Sequence, residues 1–305
     1  MCYAGRGEPQ GGVAAAVLFA GSQFPSNCAG CAARGDPVQR FNDSTIQRCH
    51  ALLSSLPMIE ARELHKSFGA HGVLNGVSLR IERGESVVII GRSGGGKSIL
   101  LKHLIGLLAP DAGDVLIDGQ NIAHLTEREL LAVRRRFGML FQGAALFDSL
   151  TVAENVGFVL RREGRLTERQ IAEKVDAALE MVDLPGTQQK KPAELSGGMR
   201  KRVGLARAIV YEPEIVLYDE PTTGLDPIVA DSINQLILRV CERLKVTSVV
   251  VTHDMVSARR LAQRILMLHD GRIHFSGTPA EVFACTDPVL CRFVNGTADP
   301  KEGDL

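Results

Sequence analysis

A glycine-rich segment at residues 91–98 is the first of three short stretches whose residue types could carry chemistry. It matches G-x-x-x-x-G-K-[ST], in which small residues let successive backbone N–H groups turn toward phosphate oxygens. Lys97 can reach the outer phosphates, and Ser98 offers a hydroxyl to Mg²⁺. The predicted phosphate-binding residues are Gly91, Arg92, Ser93, Gly94, Gly95, Gly96, Lys97, Ser98 and Ile99. Arg92 and Ile99 are expected to point away from the phosphates. Many unrelated nucleotide-binding folds share such a loop.

A pair of carboxylates, Asp219 and Glu220, follows the apolar run at residues 215–218. That run is typical of a buried parallel strand, and ligands bind at the carboxyl ends of such strands. Asp219 is therefore expected to hold Mg²⁺ through water, and Glu220 to act as general base on an attacking water. The alternative for Glu220 is an ordinary surface carboxylate.

A Ser-Gly-Gly turn at residues 195–199 lies between the glycine-rich loop and the Asp-Glu pair. In this order the three segments resemble those of the ATP-binding cassette (ABC) ATPases, over about residues 58–295. The resemblance implies an α/β cassette with a P-loop NTPase core and a mostly parallel sheet. It also implies an N-terminal antiparallel β subdomain and an inserted α-helical subdomain at about residues 145–200.

The resemblance assigns roles to further side chains. Gln142 would ligate Mg²⁺ and link the core to the helical subdomain, unless it is simply a polar turn residue. His253 resembles the histidine that touches the γ-phosphate, and Phe68 the aromatic that stacks on adenine, although Phe68 could equally be core. Asp226 precedes Pro227 and suits a helix N-cap; in the family it also contacts the opposite subunit. Catalysis would rest on Glu220, His253, Lys97 and Gln142.

The same turn implies a partner. In this family Ser196, Gly197 and Gly198 close over the ATP of a second cassette, where a helix N-terminus meets the γ-phosphate. The sequence contains one cassette and no internal repeat. We therefore expect a head-to-tail dimer with ATP and Mg²⁺ at each interface.

Hydrophobic periodicity predicts the elements that position these residues. Strands are expected at 59–64, 77–81, 86–90, 115–117, 139–141, 215–218 and 247–252, with a hairpin at 265–275. Helices are expected at 98–108, 151–160, 167–182, 226–244 and 255–264, with another from residue 279. A polar segment, to which no element is assigned, separates the predicted strands at 115–117 and 139–141.

Composition bounds the domains. The chain has 305 residues, 45% of them hydrophobic, with 35 basic and 35 acidic residues. A net charge of zero gives no global attraction to nucleic acid, and no nucleic-acid partner is expected. Residues 1–57 are predicted to be a disordered extension or to precede the true start at Met58, with the cassette at 58–296 and a flexible tail at 297–305. The apolar run at 13–20 is too short to span a membrane.

The seven cysteines favour a reduced cytosolic chain because their number is odd. Cys28 and Cys31, with Cys49 and His50, could in principle hold zinc, but the second pair lacks a usual finger spacing. An unstructured, coincidental cluster is the simpler interpretation.

Four finer stretches resemble the ATPases of bacterial mammalian-cell-entry (MCE) lipid transporters: residues 139–147, 194–202, 221–228 and 287–296. This resemblance implies phospholipid transport with two permease subunits and an envelope-side MCE protein, on the cytoplasmic face of the bacterial inner membrane. An importer of amino acids or metal is the alternative. A soluble cassette for translation or repair is disfavoured, because such proteins carry two nucleotide domains or long coiled coils.

The segment from Gln142 to about residue 165 is predicted to face the permease. Ala144, Ala145, Leu146 and Phe147 would supply a small, apolar surface for a short cytoplasmic helix. The alternative is that Leu146 and Phe147 belong to the core.

Overall fold

Ten strands in two sheets position the loops of interest in the computed structural model, which describes residues 56–284 and 286–297. The antiparallel sheet has the order β2-β1-β4-β5, and the six-stranded sheet the order β10-β9-β3-β8-β7-β6. The strands are β1 (Ile59–Phe68), β2 (His71–Ile81), β3 (Ser86–Ile90), β4 (Ala112–Ile117), β5 (Gln120–Asn121), β6 (Phe137–Leu140), β7 (Ile215–Asp219), β8 (Thr247–Thr252), β9 (Arg264–His269) and β10 (Arg272–Gly277).

The six-stranded sheet is parallel except at β10, which pairs antiparallel with β9. Its strands other than β10 are buried on both faces, as continuous apolar runs predict. In β3, Val88 and Ile90 enter one hydrophobic core, whereas Val87 and Ile89 enter the other. The predicted combination of a mostly parallel sheet and an N-terminal antiparallel sheet is therefore confirmed.

Nine α-helices lie in the described part of the chain. They are α1 (Lys97–Leu104), α2 (Glu127–Arg134), α3 (Val152–Glu163), α4 (Glu168–Met181), α5 (Gly197–Ile209), α6 (Pro227–Leu244), α7 (Met255–Leu261), α8 (Pro279–Ala284) and α9 (Pro288–Asn295). Between 150 and 200 the described chain has α3, α4, a short 3₁₀ turn (Pro192–Glu194) and the start of α5, without a strand.

Helix α1 ends four residues before the predicted residue 108. Gly106 adopts φ +68°, and its N–H donates to the carbonyl of His103 while the N–H of Leu107 donates to that of Lys102. This pair of bonds is a Schellman motif, which satisfies the last carbonyls of the helix. The prediction overlooked Gly106 because the leucine spacing continues past it.

The polar segment after the predicted strand at 115–117, to which the sequence assigned no element, contains β5 and α2. Thr126 caps α2 by accepting a hydrogen bond from the N–H of Glu129, whose carboxylate accepts one from the N–H of Thr126. This reciprocal capping box was readable from Thr-x-x-Glu. Helix α7 also ends earlier than predicted, at Leu261, because Arg264 already begins β9.

Other expectations fall on residues that the structure does not describe. The extension at 1–55, its cysteines and His50, and the tail at 298–305 lie outside the described residues. Within the described ranges, no helix is both long and apolar enough to cross a bilayer. The same ranges contain no cluster of His, Cys, Asp and Glu that could hold a metal ion by itself.

Candidate nucleotide-hydrolysis site

The glycine-rich loop connects β3 to α1 and needs small residues for steric reasons. A Cβ on Gly91 would lie 2.4 Å from the carbonyl oxygen of Leu268. Gly96 adopts φ +90°, and a Cβ there would lie 2.9 Å from Cγ1 of Val73. The backbone of this loop is therefore packed between β2 and β9 and leads directly into the N-terminus of α1, a position that favours anions.

Lys97 and Ser98 begin α1 and point toward the end of β7. The Lys97 Nζ donates to the carbonyls of Gly91 and Arg92 at 2.8 and 2.9 Å, and it lies 3.8 Å from Oε1 of Glu220. The Ser98 hydroxyl donates to Oδ1 of Asp219 at 2.8 Å. Burial lowers the pKa of Lys97 and raises that of Asp219, which disfavours both ionised forms, and the opposite charges at this edge counter only part of the two shifts.

Glu220 is fixed by contacts from three directions. Its carboxylate lies 2.9 Å from Nδ1 of His253, and its other oxygen accepts from the hydroxyl of Thr223 at 3.0 Å. Its N–H donates to the carbonyl of Val251 on the neighbouring strand at 2.9 Å. The carboxylate is 10% exposed, so its position is set by the protein rather than by solvent.

One cleft of about 400 Å³ brings together most of the predicted site residues. Phe68, half exposed, stands at its edge, and Gln142 reaches it from the end of β6. Ile99, expected to face away from the phosphates, also lines this cleft. The predicted residues that line it are Phe68, Ser93, Gly94, Gly96, Lys97, Ser98, Ile99, Gln142, Glu220 and His253.

The Ser-Gly-Gly turn is not among the residues lining this cleft. Ser196 caps α5 by accepting from the N–H of Met199 at 3.2 Å, and a Cβ on Gly198 would lie 2.7 Å from Val229 on α6. Asp226 caps α6, accepting from two backbone N–H groups at 3.0 Å each. The two helix starts therefore lie next to each other, and neither is among the residues that line the cleft.

Sequence reasoning missed three polar side chains that hold this site in place. Thr223 binds the carboxylate of Glu220. Lys201, on α5, donates to the carbonyls of Gln142 and Glu220, and Arg207 donates to those of Ala144 and Ala145. The available signal was Lys201 itself, a charge four residues after Gly197 on a helix face otherwise made of small and apolar residues.

The site fits ATP and Mg²⁺ by its own chemistry. Glycines keep the loop open where a Cβ would close it, and a lysine and a helix N-terminus face the cleft. A serine hydroxyl beside a buried carboxylate is an all-oxygen donor pair of the kind Mg²⁺ prefers. The fold and this site define a P-loop nucleotide hydrolase.

Comparison with known proteins places the chain in a family. Residues 74–223 match the family model described as "ABC transporter". The Arabidopsis thaliana protein TRIGALACTOSYLDIACYLGLYCEROL 3, chloroplastic, is 44% identical over 79% of this chain and 74% of the relative. The intermembrane phospholipid transport system ATP-binding protein MlaF of Haemophilus influenzae is 39% identical over 79% and 92%. The chain therefore belongs to the ABC transporter ATP-binding family.

Other relatives, 39% and 41% identical, are named as ATP-binding proteins for sulfate/thiosulfate and for methionine import. Among solved structures, a dimeric post-hydrolysis state of the cassette MJ0796, bound to ADP and Pi, superposes with a TM-score of 0.68 at 35% identity. That match covers 73% of this chain and 99% of the other. The protein is an ATPase subunit of an ABC transporter.

Proposed function

We propose that this ATPase drives the movement of phospholipid across a bacterial envelope, as a peripheral subunit on the cytoplasmic face of the inner membrane. Its partners would be a second copy of itself, integral permease subunits and an envelope-side MCE protein. The observation that carries the proposal is the apolar segment after Gln142, which resembles that of MCE-type ATPases. The phospholipid-transport name of one relative supports it.

The chain's own residues suggest how hydrolysis proceeds. Lys97 would exchange its two loop carbonyls for β- and γ-phosphate oxygens, while Phe68 stacks on adenine. Glu220 would accept a proton from the attacking water, and His253 would hold that carboxylate and contact the γ-phosphate. Mg²⁺, held by Ser98 and through water by Asp219 with Gln142, would neutralise developing charge on the phosphates.

A second copy would complete the site. Ser196, Gly197 and Gly198 present a helix N-terminus that does not line their own cleft, and Asp226 lies beside them. These residues would close over the γ-phosphate in the opposite copy. The dimeric state of two similar solved cassettes supports this arrangement.

The surface after Gln142 suits contact with a permease only in part. Ala144 is buried at 1% exposure and the partly buried Leu146 packs against the core, so neither offers a fully open apolar surface. Phe147 is 46% exposed, and its ring centroid lies 4.9 Å from that of Phe158 on α3, itself 36% exposed. The contact surface is therefore narrower than the sequence suggests and centres on these two rings.

A groove continues this surface along α3. Val159 lines a cavity of about 480 Å³ together with Leu131 of α2 and Arg162. Leu131 is 58% exposed and Val159 37%. A short amphipathic helix from a permease would cover these apolar side chains while its polar face meets the arginines.

Lipid cargo is tested by reconstitution. The complex of this chain with its permease and MCE protein is placed in liposomes that contain fluorescent phospholipid. We expect ATP-dependent transfer of the label, which is lost on Glu220→Gln. ATP-dependent uptake of methionine or sulfate without lipid transfer would instead favour the importer alternative.

The permease contact is tested by Phe147→Asp. Because the ring is nearly half exposed, the folded cassette should tolerate the charge and hydrolyse ATP alone, but it should no longer copurify with the permease. Leu107→Asp is the matched control, since Leu107 is 49% exposed and lies outside this surface. Unchanged copurification and lipid transfer in Phe147→Asp would refute the contact, and a large loss of melting temperature would place the ring in the core.

A further inference from the structure

Lys201 is a buried cation that donates hydrogen bonds to backbone carbonyls. It is 5% exposed, and its Nζ donates to the carbonyl of Gln142 and, at 3.1 Å, to the carbonyl of Glu220. Burying an ammonium is costly unless its protons are bonded. Burial indeed lowers the pKa of Lys201, while the charges of Asp219 and Glu220 oppose that shift. The free-energy cost of burying this ammonium suggests that Lys201 has a specific role.

The two carbonyls belong to the two loops that the proposed mechanism must coordinate. Gln142 follows β6 and begins the segment that leads to Phe147, whereas Glu220 follows β7. Lys201 lies 59 and 19 residues away from them along the chain. One side chain of α5 therefore ties the loop that faces the permease to the peptide of the proposed base.

The peptide at Glu220 needs such support. Glu220 adopts φ +50°, a left-handed conformation that is strained for a residue other than glycine and persists only where the surroundings impose it. Its N–H is held by Val251, and its carbonyl accepts from Lys201 and, at 3.3 Å, from the N–H of Thr223. Without the ammonium, the carbonyl of Glu220 would keep only the longer hydrogen bond, from the N–H of Thr223.

A second basic side chain of α5 also donates to two loop carbonyls. Arg207 donates to the carbonyls of Ala144 and Ala145 at 2.7 Å each, and both alanines also have positive φ values, 59° and 47°. Helix α5 thus binds the carbonyls of two residues in the loop that follows Gln142. A shift of that loop would reach α5 through bonds rather than through loose packing.

We propose that Lys201 is a positioning residue, which fixes the peptide of Glu220 for catalysis and couples it to the Gln142 loop. The inference rests on the proposed role of Glu220 as general base. Lys201 is not among the residues that line the cleft, so it would act on turnover through the backbone of Glu220. It follows that its loss lowers kcat and leaves the KM for ATP almost unchanged.

The test compares Lys201→Met with Arg202→Met in the full-length protein. Methionine keeps the buried stem and removes the ammonium. Arg202, the next residue of α5, bonds instead to the carbonyl of Val182 and the hydroxyl of Ser232, away from the cleft. We expect kcat to fall at least tenfold in Lys201→Met with KM within threefold, whereas Arg202→Met keeps the kcat of the parent.

Two further variants keep the proposal falsifiable. Lys201→Arg retains the charge and should recover part of kcat. Lys201→Gln retains a donor but is too short to reach both carbonyls, so its kcat should be intermediate. If Lys201→Met loses its cooperative melting transition, the kcat of Lys201→Gln becomes the test. A kcat of Lys201→Gln equal to that of the parent protein would overturn the proposal.

Glu220→Gln, measured in parallel, separates the two hypotheses. If Glu220→Gln is inactive and Lys201→Met is fully active, the positioning role is wrong and the base assignment stands. If Glu220→Gln still hydrolyses ATP at the parental rate, the base assignment itself is wrong. A loss of nucleotide affinity in Lys201→Met without a change in kcat would also overturn the positioning role.

Discussion

Each reactive side chain of the cleft is held by a specific neighbour before any ligand arrives. Ser98 is bonded to Asp219, His253 to Glu220, and Lys97 to the carbonyls of its own loop. Preorganised polar groups need little rearrangement at the moment of reaction. At the residue scale, the proposed chemistry depends on these few hydrogen bonds, whose donor–acceptor distances are 2.8–2.9 Å.

Lys97→Ala should abolish hydrolysis by weakening ATP binding. The lysine supplies charge-assisted hydrogen bonds, each worth about 1.5–3 kcal/mol, so affinity should fall roughly ten- to hundredfold. Isothermal titration with ATP and Mg²⁺ measures the change. Lys102→Ala is the control, because Lys102 lies on the same helix and is exposed. Parental affinity in Lys97→Ala would show that the ammonium does not contact the nucleotide.

At the scale of elements, an ionic network joins strand ends from the two sheets. The Arg136 guanidinium, just before β6, binds both oxygens of Glu214 at 2.8 and 2.9 Å and also binds Asp118 after β4. Arg83, between β2 and β3, bonds to Asp118 and to Glu214. The network ties the antiparallel sheet to the parallel sheet at the end opposite the cleft.

Glu214→Gln should destabilise the protein in a pH-dependent manner. The hydrogen bond from Arg136 lowers the pKa of Glu214 below its ordinary 4.5. A carboxyl group whose pKa is lower in the folded than in the unfolded protein stabilises the folded state at pH values above its unfolded-state pKa. That contribution is lost as the pH falls through its folded-state pKa. Because the carboxylate is 46% exposed and screened, we expect a loss of about 1 kcal/mol at pH 7.

Urea denaturation at pH 7 and near pH 4 measures this dependence. The difference between parent and Glu214→Gln should shrink at the acid pH. The exposed Glu180, changed to Gln, serves as the control and should show no such trend. An equal loss of stability at both values would mean that the charge of Glu214 is not what stabilises the network.

At the scale of the whole molecule, the proposed dimer would complete the catalytic site. The cleft is lined by part of the glycine-rich loop and by Gln142, Glu220 and His253, whereas Ser196 and the two glycines after it are not among its lining residues. A head-to-tail pair would place each Ser-Gly-Gly turn on the other copy's nucleotide. Ile228 and Val256, 83% and 72% exposed, lie at the starts of α6 and α7 near this face.

Glu220→Gln should trap an ATP-bound dimer. Amide replacement removes the base, which is expected to slow hydrolysis by about 10²–10⁴-fold while leaving binding intact. The γ-phosphate then stays in place to join the two copies, and size-exclusion chromatography with ATP should show a doubled mass. Adding Ser196→Arg should restore the monomer. Glu220→Gln that binds ATP yet remains monomeric would contradict the proposed role of the γ-phosphate.

The sequence by itself determined what depends on neighbours along the chain. The glycine-rich loop, the Asp-Glu pair after β7 and the Asp226 cap are local patterns whose steric and hydrogen-bonding requirements act within a few residues. Most strands were predictable for the same reason, because a continuous apolar run marks a strand buried on both faces and an alternating one marks a strand with one exposed face. Gly106 and the Thr126 capping box were equally local, and careful reading could have found them.

Only the tertiary structure decided which distant groups meet. Leu146 and Phe147 are both apolar and adjacent, yet Leu146 is partly buried against the core whereas Phe147 stays exposed beside Phe158. Lys201 reads as an ordinary helical charge until α5 packs against the ends of β6 and β7 and brings two carbonyls to its ammonium. Such contacts depend on the order of strands and the packing of helices, which bring together residues that no local pattern connects.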